Sequence, residues 1–397
     1  MSISEIHLVG GTHADAVKLA PVAAAMRAAG LVNPILVAGG RDPAMVSQVL
    51  AAFGLTPDVT LPVEDSTGSR AQLLTDMIWQ LDALWAGRAP AAVIVQGDST
   101  TSLAGALAAY RRRIPVVHLG AGRRSGDPGA SFAEESNRRL IAQVATLHLA
   151  PAPLAAMNLL DEVLPTAHLL ITGDTVVDAA VAIAHRRLPF ENARVAAARA
   201  DAAGRRLVVV TAQRRESWGA PLERILAAVR RLTEQYADVD VVLPSHSHPA
   251  VRAQAEAVLG DLDRVTVTGP LSYPDLFRLL SEAYLVLTDS GGVQEAAPSF
   301  GVPVLVLRDV TEQVESLHAG CARLVGSDTD LIVKEAAVLL DSRVRRDAMA
   351  AGGNPYGDGL AAVRTAQATA ALLGLAPAPS PLPTGVFPAA TATFGAS

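Results

Sequence analysis

Short apolar runs, each broken by a polar or glycine-bearing turn and followed by a stretch of helical periodicity, set the pattern of this chain. Residues 5–9 read as a buried strand, Gly10-Gly11-Thr12 as the turn behind it, and 14–28 as a helix closed by Gly30. Strands are then predicted over 34–38, 91–96 and 115–119, with helices over 43–53 and 100–110. A second series begins with a strand over 206–211. It continues with strands over 239–244, 265–267, 284–288 and 302–307, and helices over 221–235, 248–259, 273–283 and 292–300. Alternation of this kind predicts parallel sheets covered by helices on both faces.

The 397 residues exceed the usual size of one hydrophobic core, so two Rossmann-like domains are expected. Their boundary falls in the region 172–206: residues 1–172 form the first, joined by a returning helix near 355–375, and 173–354 form the second. The stretch 376–397, rich in Pro, Ala, Thr and Ser, is expected to be a mobile tail.

Composition narrows the function classes. Half of the residues are apolar and 18% are charged, which suits large buried sheets. A net charge of −6 without a Lys/Arg run offers no footprint for a phosphate backbone, so nucleic acid is excluded as a partner. The single cysteine, Cys321, rules out an internal disulfide and a multi-thiolate metal site, and reads as a small buried hydrophobe. No basic region precedes the first apolar run and no run reaches the length of a bilayer span, so no membrane partner and a cytoplasmic location are expected.

Loops directly behind parallel strands are where ligands bind in such sheets. Gly10-Gly11-Thr12-His13 and Thr288-Asp289-Ser290-Gly291-Gly292 both stand between a strand and a helix, where backbone N–H groups can approach a diphosphate; helix caps with turn glycines are the alternative reading. Asp98 in Gln96-Gly97-Asp98-Ser99-Thr100 reads as an acid or base, or as a cap of the following helix. Glu134-Glu135-Ser136-Asn137-Arg138-Arg139 opens a further helix with two acids before two bases. His246 and His248 lack an acid or third histidine that would complete a metal site, and no metal or other cofactor is expected.

Taken together these loops carry a resemblance. From about residue 5 to residue 374 the chain resembles the non-hydrolysing UDP-N-acetylglucosamine 2-epimerase family through Gly11-Thr12-His13-Ala14-Asp15-Ala16-Val17-Lys18, Gly97-Asp98-Ser99-Thr100-Thr101, Glu134 to Arg139, Arg214-Arg215-Glu216, Asp289-Ser290-Gly291-Gly292-Val293-Gln294-Glu295 and Asn354-Pro355-Tyr356-Gly357. The resemblance implies a GT-B-like architecture with an interdomain cleft, a nucleotide-sugar ligand, hinged closure and a homodimer. Family chemistry, elimination of the nucleotide across C1 and C2 followed by readdition, implies catalytic roles for Asp98 and Glu134. It implies binding roles for Gly11, His13, Lys18, Arg138, Gln213, Arg214, His246, Ser290, Gly291, Gly292 and Glu295.

The chain departs from the family where Glu-Ala-Gly reads Gly120-Ala121-Gly122 and where His-Arg-Arg-Glu reads Gln213-Arg214-Arg215-Glu216. Glycine has no proton to give and glutamine does not titrate. Further changes at His13, Ala296 and Gln313 touch the family's nucleotide pocket. Loss of C2 acid–base groups with retention of the phosphate loop leads to the expectation of a glycosyltransferase that moves a sugar from a nucleotide-sugar donor, non-uridine such as a GDP-sugar, to a small-molecule acceptor. The acceptor's nucleophile would be a hydroxyl or thiol, with a setting in secondary metabolism and antibiotic biosynthesis. Epimerisation of UDP-N-acetylglucosamine ranks second and silent binding of a sugar nucleotide third.

Overall fold

The computed structural model describes residues 3–62, 68–125, 133–162, 164, 168–202, 204–383 and 385. The chain divides into two compact units, Met1–Ala179 with Tyr356–Gly385, and Ala180–Pro355. In the first, β1 (Glu5–Gly10), α1 (His13–Ala29), β2 (Asn33–Ala38), α2 (Pro43–Ala51), β3 (Val59–Thr60), α3 (Arg70–Gly87), β4 (Ala92–Gln96), α4 (Thr100–Arg111), β5 (Val116–Leu119), α5 (Glu134–Val144), β6 (Leu147–Ala150), α6 (Pro153–Leu160) and β7 (His168–Ile171) follow in turn. Then α7 (Thr175–His185) leads out of this unit and α8 (Ala193–Ala200) opens the other. There, β8 (Arg206–Thr211), α9 (Ala220–Gln235), β9 (Val239–Pro244), α10 (Pro249–Leu259), β10 (Val265–Thr268), α11 (Tyr273–Glu282), β11 (Leu285–Thr288), α12 (Gly291–Ala296), β12 (Val304–Val306), α13 (Val314–His318), β13 (Ala322–Leu324), α14 (Thr329–Asp341) and α15 (Arg343–Ala350) complete the alternation. The last helix, α16 (Ala361–Leu372), returns to the first unit and packs along α1.

Strand order is β3-β2-β1-β4-β5-β6-β7 in one sheet and β10-β9-β8-β11-β12-β13 in the other, and neighbouring strands pair in parallel. Each sheet therefore reverses direction beside its first strand, the doubly wound Rossmann order, and the crevice at the reversal lies beyond the carboxyl ends of the strands. The inner strands are buried along nearly their whole length because helices cover both faces, which is why they read as continuous apolar runs.

Local chemistry sets the helix ends. Thr12 caps α1 in a reciprocal box with Asp15, and Gly30 closes it in the left-handed conformation. Periodicity predicts one helix over 292–300, whereas α12 ends at Ala296 and a 3-10 turn spans Ala297–Phe300. Pro298 explains the break, since it supplies no N–H to continue the α-helical bonding. Asp178 in α7 accepts the N–H groups of Ala361 and Ala362 at 3.3 and 2.8 Å, pinning the start of α16, and burial pushes its carboxyl up to about 7. Of the expected tail, Leu382 is buried and its N–H donates to Ile171 O at 2.7 Å, while 386–397 lie outside the described residues. Cys321 is buried, and burial pushes its thiol up to about 12. No helix among the described residues is long and apolar enough to cross a membrane.

His118 on β5 and His148 on β6 are register partners in the core of the first unit. Burial pushes them down to about 3 and about 4. Among the described residues neither ring nitrogen of His148 has a hydrogen-bond partner, so the ring is held neutral. A base whose folded pKa is depressed contributes stability that is present above its unfolded value, near 6.5, and is lost as pH falls through the folded value. Replacing His148→Leu should therefore flatten the loss of unfolding free energy between pH 6.5 and 4 by about 3 kcal/mol in urea titrations. An unchanged slope would place the acid sensitivity elsewhere.

Candidate active site

In the first unit three loops gather behind β1, β4 and β5. Gly11 and Thr12 donate their N–H groups to Asp15 Oδ2 at 3.0 and 3.1 Å, and Ser99 Oγ of the β4 loop donates to the same oxygen at 2.9 Å. Asp15 is 2% exposed, and burial pushes its carboxyl up to about 6 against the pull of these donors. A Cβ at Gly11 would lie 2.1 Å from Thr101 Oγ1, so only glycine lets the two loops come this close. His13 is exposed at the start of α1.

Asp98 does not cap α4. That place belongs to Ser99, which accepts the Ser102 N–H, and the Asp98 carboxylate is thereby left to the site. It pairs with Arg138 Nη1, and Asn137 Nδ2 donates to the Asp98 carbonyl at 2.8 Å. Arg138 is held from its other side by Glu135 Oε2, 3.0 Å from Nη2 and 3.2 Å from Nε. Glu135 is buried, which alone would raise its carboxyl. The Ser125 N–H and Arg138 outweigh that and hold it below its ordinary value. Glu134 is half-exposed and lies 3.5 Å from Arg70, so the structure joins Asp98 with Arg138 and places Glu134 in a different ion pair.

Lys18 Nζ lies 2.9 Å from Asp174 Oδ2, which also receives Arg123 Nη2. Asp174 follows β7 and its Oδ1 accepts the Val176 N–H at 2.9 Å. Burial would raise its carboxyl, but Lys18 and Arg123 hold it well below the usual carboxylate range. Asp174, Arg123 and Glu135 are residues of these clusters to which the motifs assign no role. Gly173-Asp174-Thr175 repeats, between a strand and a helix, the pattern of Gly97-Asp98-Ser99, and that repetition is the signal in the sequence.

In the second unit Asp289, fully buried at the end of β11, organises the loops. Its Oδ2 accepts from Gln213 N and Arg214 N at 2.9 Å each and from Ser217 Oγ at 2.8 Å. Ser290 makes no side-chain cap bond, and Gly292 is exposed. Gln213 Nε2 donates to Pro244 O at 3.0 Å, and the Arg214 guanidinium lies 3.0 Å from Glu216. Glu295 accepts from Gln313 Nε2 at 3.1 Å, so the glutamine at the family's arginine position is used inside the loop cluster. His246 Nδ1 accepts the His248 N–H at 2.9 Å, and both rings lie 5.1 Å from Trp218. Among the described residues no group of three or more His, Cys, Asp or Glu stands where it could hold a metal.

Two doubly wound parallel sheets, each with polar loops behind its first and fourth strands, define a two-unit Rossmann-like protein of GT-B type. The family model for UDP-N-acetylglucosamine 2-epimerase matches residues 24–370, and the chain belongs to that family. It is 36% identical over 360 residues to the UDP-N-acetylglucosamine 2-epimerase of Bacillus subtilis, covering 91% of this chain and 93% of the relative. A Neisseria meningitidis UDP-GlcNAc 2-epimerase determined with UDP-GlcNAc superposes with a TM-score of 0.85 at 32% identity, over 93% of this chain and all of that one. A Staphylococcus aureus structure determined with UDP gives 0.88 at 34% identity over 96% and 100%.

These matches overturn the expectation of a glycosyltransferase with a non-uridine donor, an acceptor and a setting in antibiotic biosynthesis. Nearly full-length relatives are epimerases by name, and the two solved structures above were determined with UDP or UDP-GlcNAc. The inference failed because it treated the substitutions at Gly120 and Gln213 as a loss of the reaction. The GT-B fold carries both chemistries and could not decide between them.

Proposed function

We propose that this protein interconverts the C2 epimers of a UDP-linked 2-acetamido sugar, with UDP-N-acetylglucosamine as the reference substrate. The observation that carries the reading is the family match over 24–370, within which Asp98 and Arg138 stand bonded to each other behind the strands. In this reaction a carboxylate takes the proton from C2 as the C1–O bond to the diphosphate breaks, giving a C1–C2 double bond and free UDP. Readdition of UDP at C1 and return of a proton to the other face of C2 completes the exchange.

Gly120 and Gln213 cannot move protons, so that work falls to Asp98 and Glu134. Arg138, fixed by Glu135, orients the Asp98 carboxylate as a base. The accessible Ser290-Gly291-Gly292 loop with Arg214 holds the departing diphosphate through N–H donors. We further propose a homodimer, as the resemblance implies.

Incubation with UDP-N-acetylglucosamine in deuterium oxide tests the reading. Deuterium should enter at C2 and the manno epimer should appear in the proton spectrum. Tight UDP binding without any label at C2, from this sugar or from other UDP-linked 2-acetamido sugars, would reject epimerisation.

A further inference from the structure

Gly120 ends β5 with φ +73°, a conformation that L side chains avoid. A Cβ there would have as its nearest neighbours Gln96 Nε2 at 3.4 Å, Arg123 Nη1 at 3.7 Å and Gly97 N at 4.0 Å. The Gly97 N–H is spent on Leu119 O at 2.9 Å, so the donors facing the space that a residue-120 side chain would enter are the two side-chain nitrogens of Gln96 and Arg123. Gln96 is 4% exposed and the Arg123 side chain 11%, which makes this a built wall. Arg123 is also anchored in advance, because its Nη2 is held by the Asp174 carboxylate that holds Lys18. A guanidinium offers N–H donors in a fixed plane, and that plane matches a carboxylate better than a hydroxyl.

We propose that the space beside Gly120, walled by Gln96 and Arg123, receives a carboxylate on the sugar, so that the substrate is a UDP-linked 2-acetamido uronic acid. The inference rests on the epimerase reading above and specifies its substrate class. A glutamate at residue 120, as the family has, would put a negative charge beside Arg123 and turn such a sugar away. Glycine removes both the charge and the bulk.

Isothermal titration of the full chain with UDP, UDP-N-acetylglucosamine and UDP-N-acetylglucosaminuronic acid tests it, since the two conjugates differ only in a hydroxymethyl against a carboxylate at C6. The uronic acid should bind at least tenfold more tightly than the neutral sugar. Arg123→Leu should erase that ratio, Arg123→Lys should keep part of it, and Gly120→Glu should reverse it, with UDP affinity the same in all. A neutral sugar bound as tightly as the acidic one, or a preference that survives Arg123→Leu, would overturn the proposal while leaving the epimerase reading standing. Failure of UDP itself to bind would remove both.

Discussion

Asp98→Asn should lower kcat for C2 exchange by about 10³-fold and leave KM within a few-fold, because amide nitrogen and oxygen keep the shape of the side chain while removing its basicity. The fold should barely notice. Asp98 is about one-third exposed, and Arg138 keeps both of its bonds to Glu135. A partly exposed ion pair contributes at most about 1 kcal/mol. In a chain of this size that moves Tm by roughly 2–4 °C or less. Steady-state kinetics beside a thermal melt separates the outcomes: a large fall in Tm with a proportionate loss of activity would make Asp98 a structural anchor.

The largest effect on stability is expected at Gly122. It holds φ +87°, and a Cβ there would lie 2.0 Å from the Ala155 carbonyl oxygen and 2.9 Å from Leu159 Cδ1. Gly122→Ala thus combines left-handed strain of about 1–2 kcal/mol with a collision against the backbone of α6 that no rotamer relieves. Asn158 Nδ2 donates to the Gly122 carbonyl at 2.9 Å, so the loop cannot simply lift away. Together these should cost about 3 kcal/mol or more in urea denaturation. Because Arg123 and Arg124 follow directly, binding of any sugar that reaches Arg123 should weaken as well. A loss under about 1 kcal/mol would mean that α6 yields more readily than its contacts here imply.

Much of the fold was legible because its strands are buried on both faces. Continuous runs such as Val93 to Val95 or Val208 to Val210 have no rival reading once glycine turns flank them. What escaped was not only the edges: β6 is buried at all four positions, but His148 interrupts its short apolar run. Helix α3 fully buries Met77, Leu81 and Trp85 at four-residue spacing, with Leu73, Leu74, Ile78 and Leu84 partly buried beside them, and β3 is two residues long. The site was legible as a set of loops but not as a set of bonds. Asp98 reads equally as a cap until Ser99 is seen to fill that place. Lys18 and Asp174 stand 156 positions apart, so no local pattern joins them. Glu134 and Glu135 are indistinguishable as letters, yet one faces Arg70 at the surface and the other is buried against Arg138. The choice between transfer and epimerisation turned on similarity along the whole length, which two substituted positions could not outweigh.

The return of α16 to α1, fastened through Asp178, makes the first unit discontinuous in sequence, while among the described residues the second is a single stretch. On the ribosome the amino-terminal sheet emerges first but lacks its closing helix until residues beyond Tyr356 have been made. The later-synthesised half, needing nothing from elsewhere in the chain, can complete its core sooner. Nascent chains stalled before Tyr356 would carry the helix-facing side of α1 uncovered, a natural target for chaperones and for proteolysis.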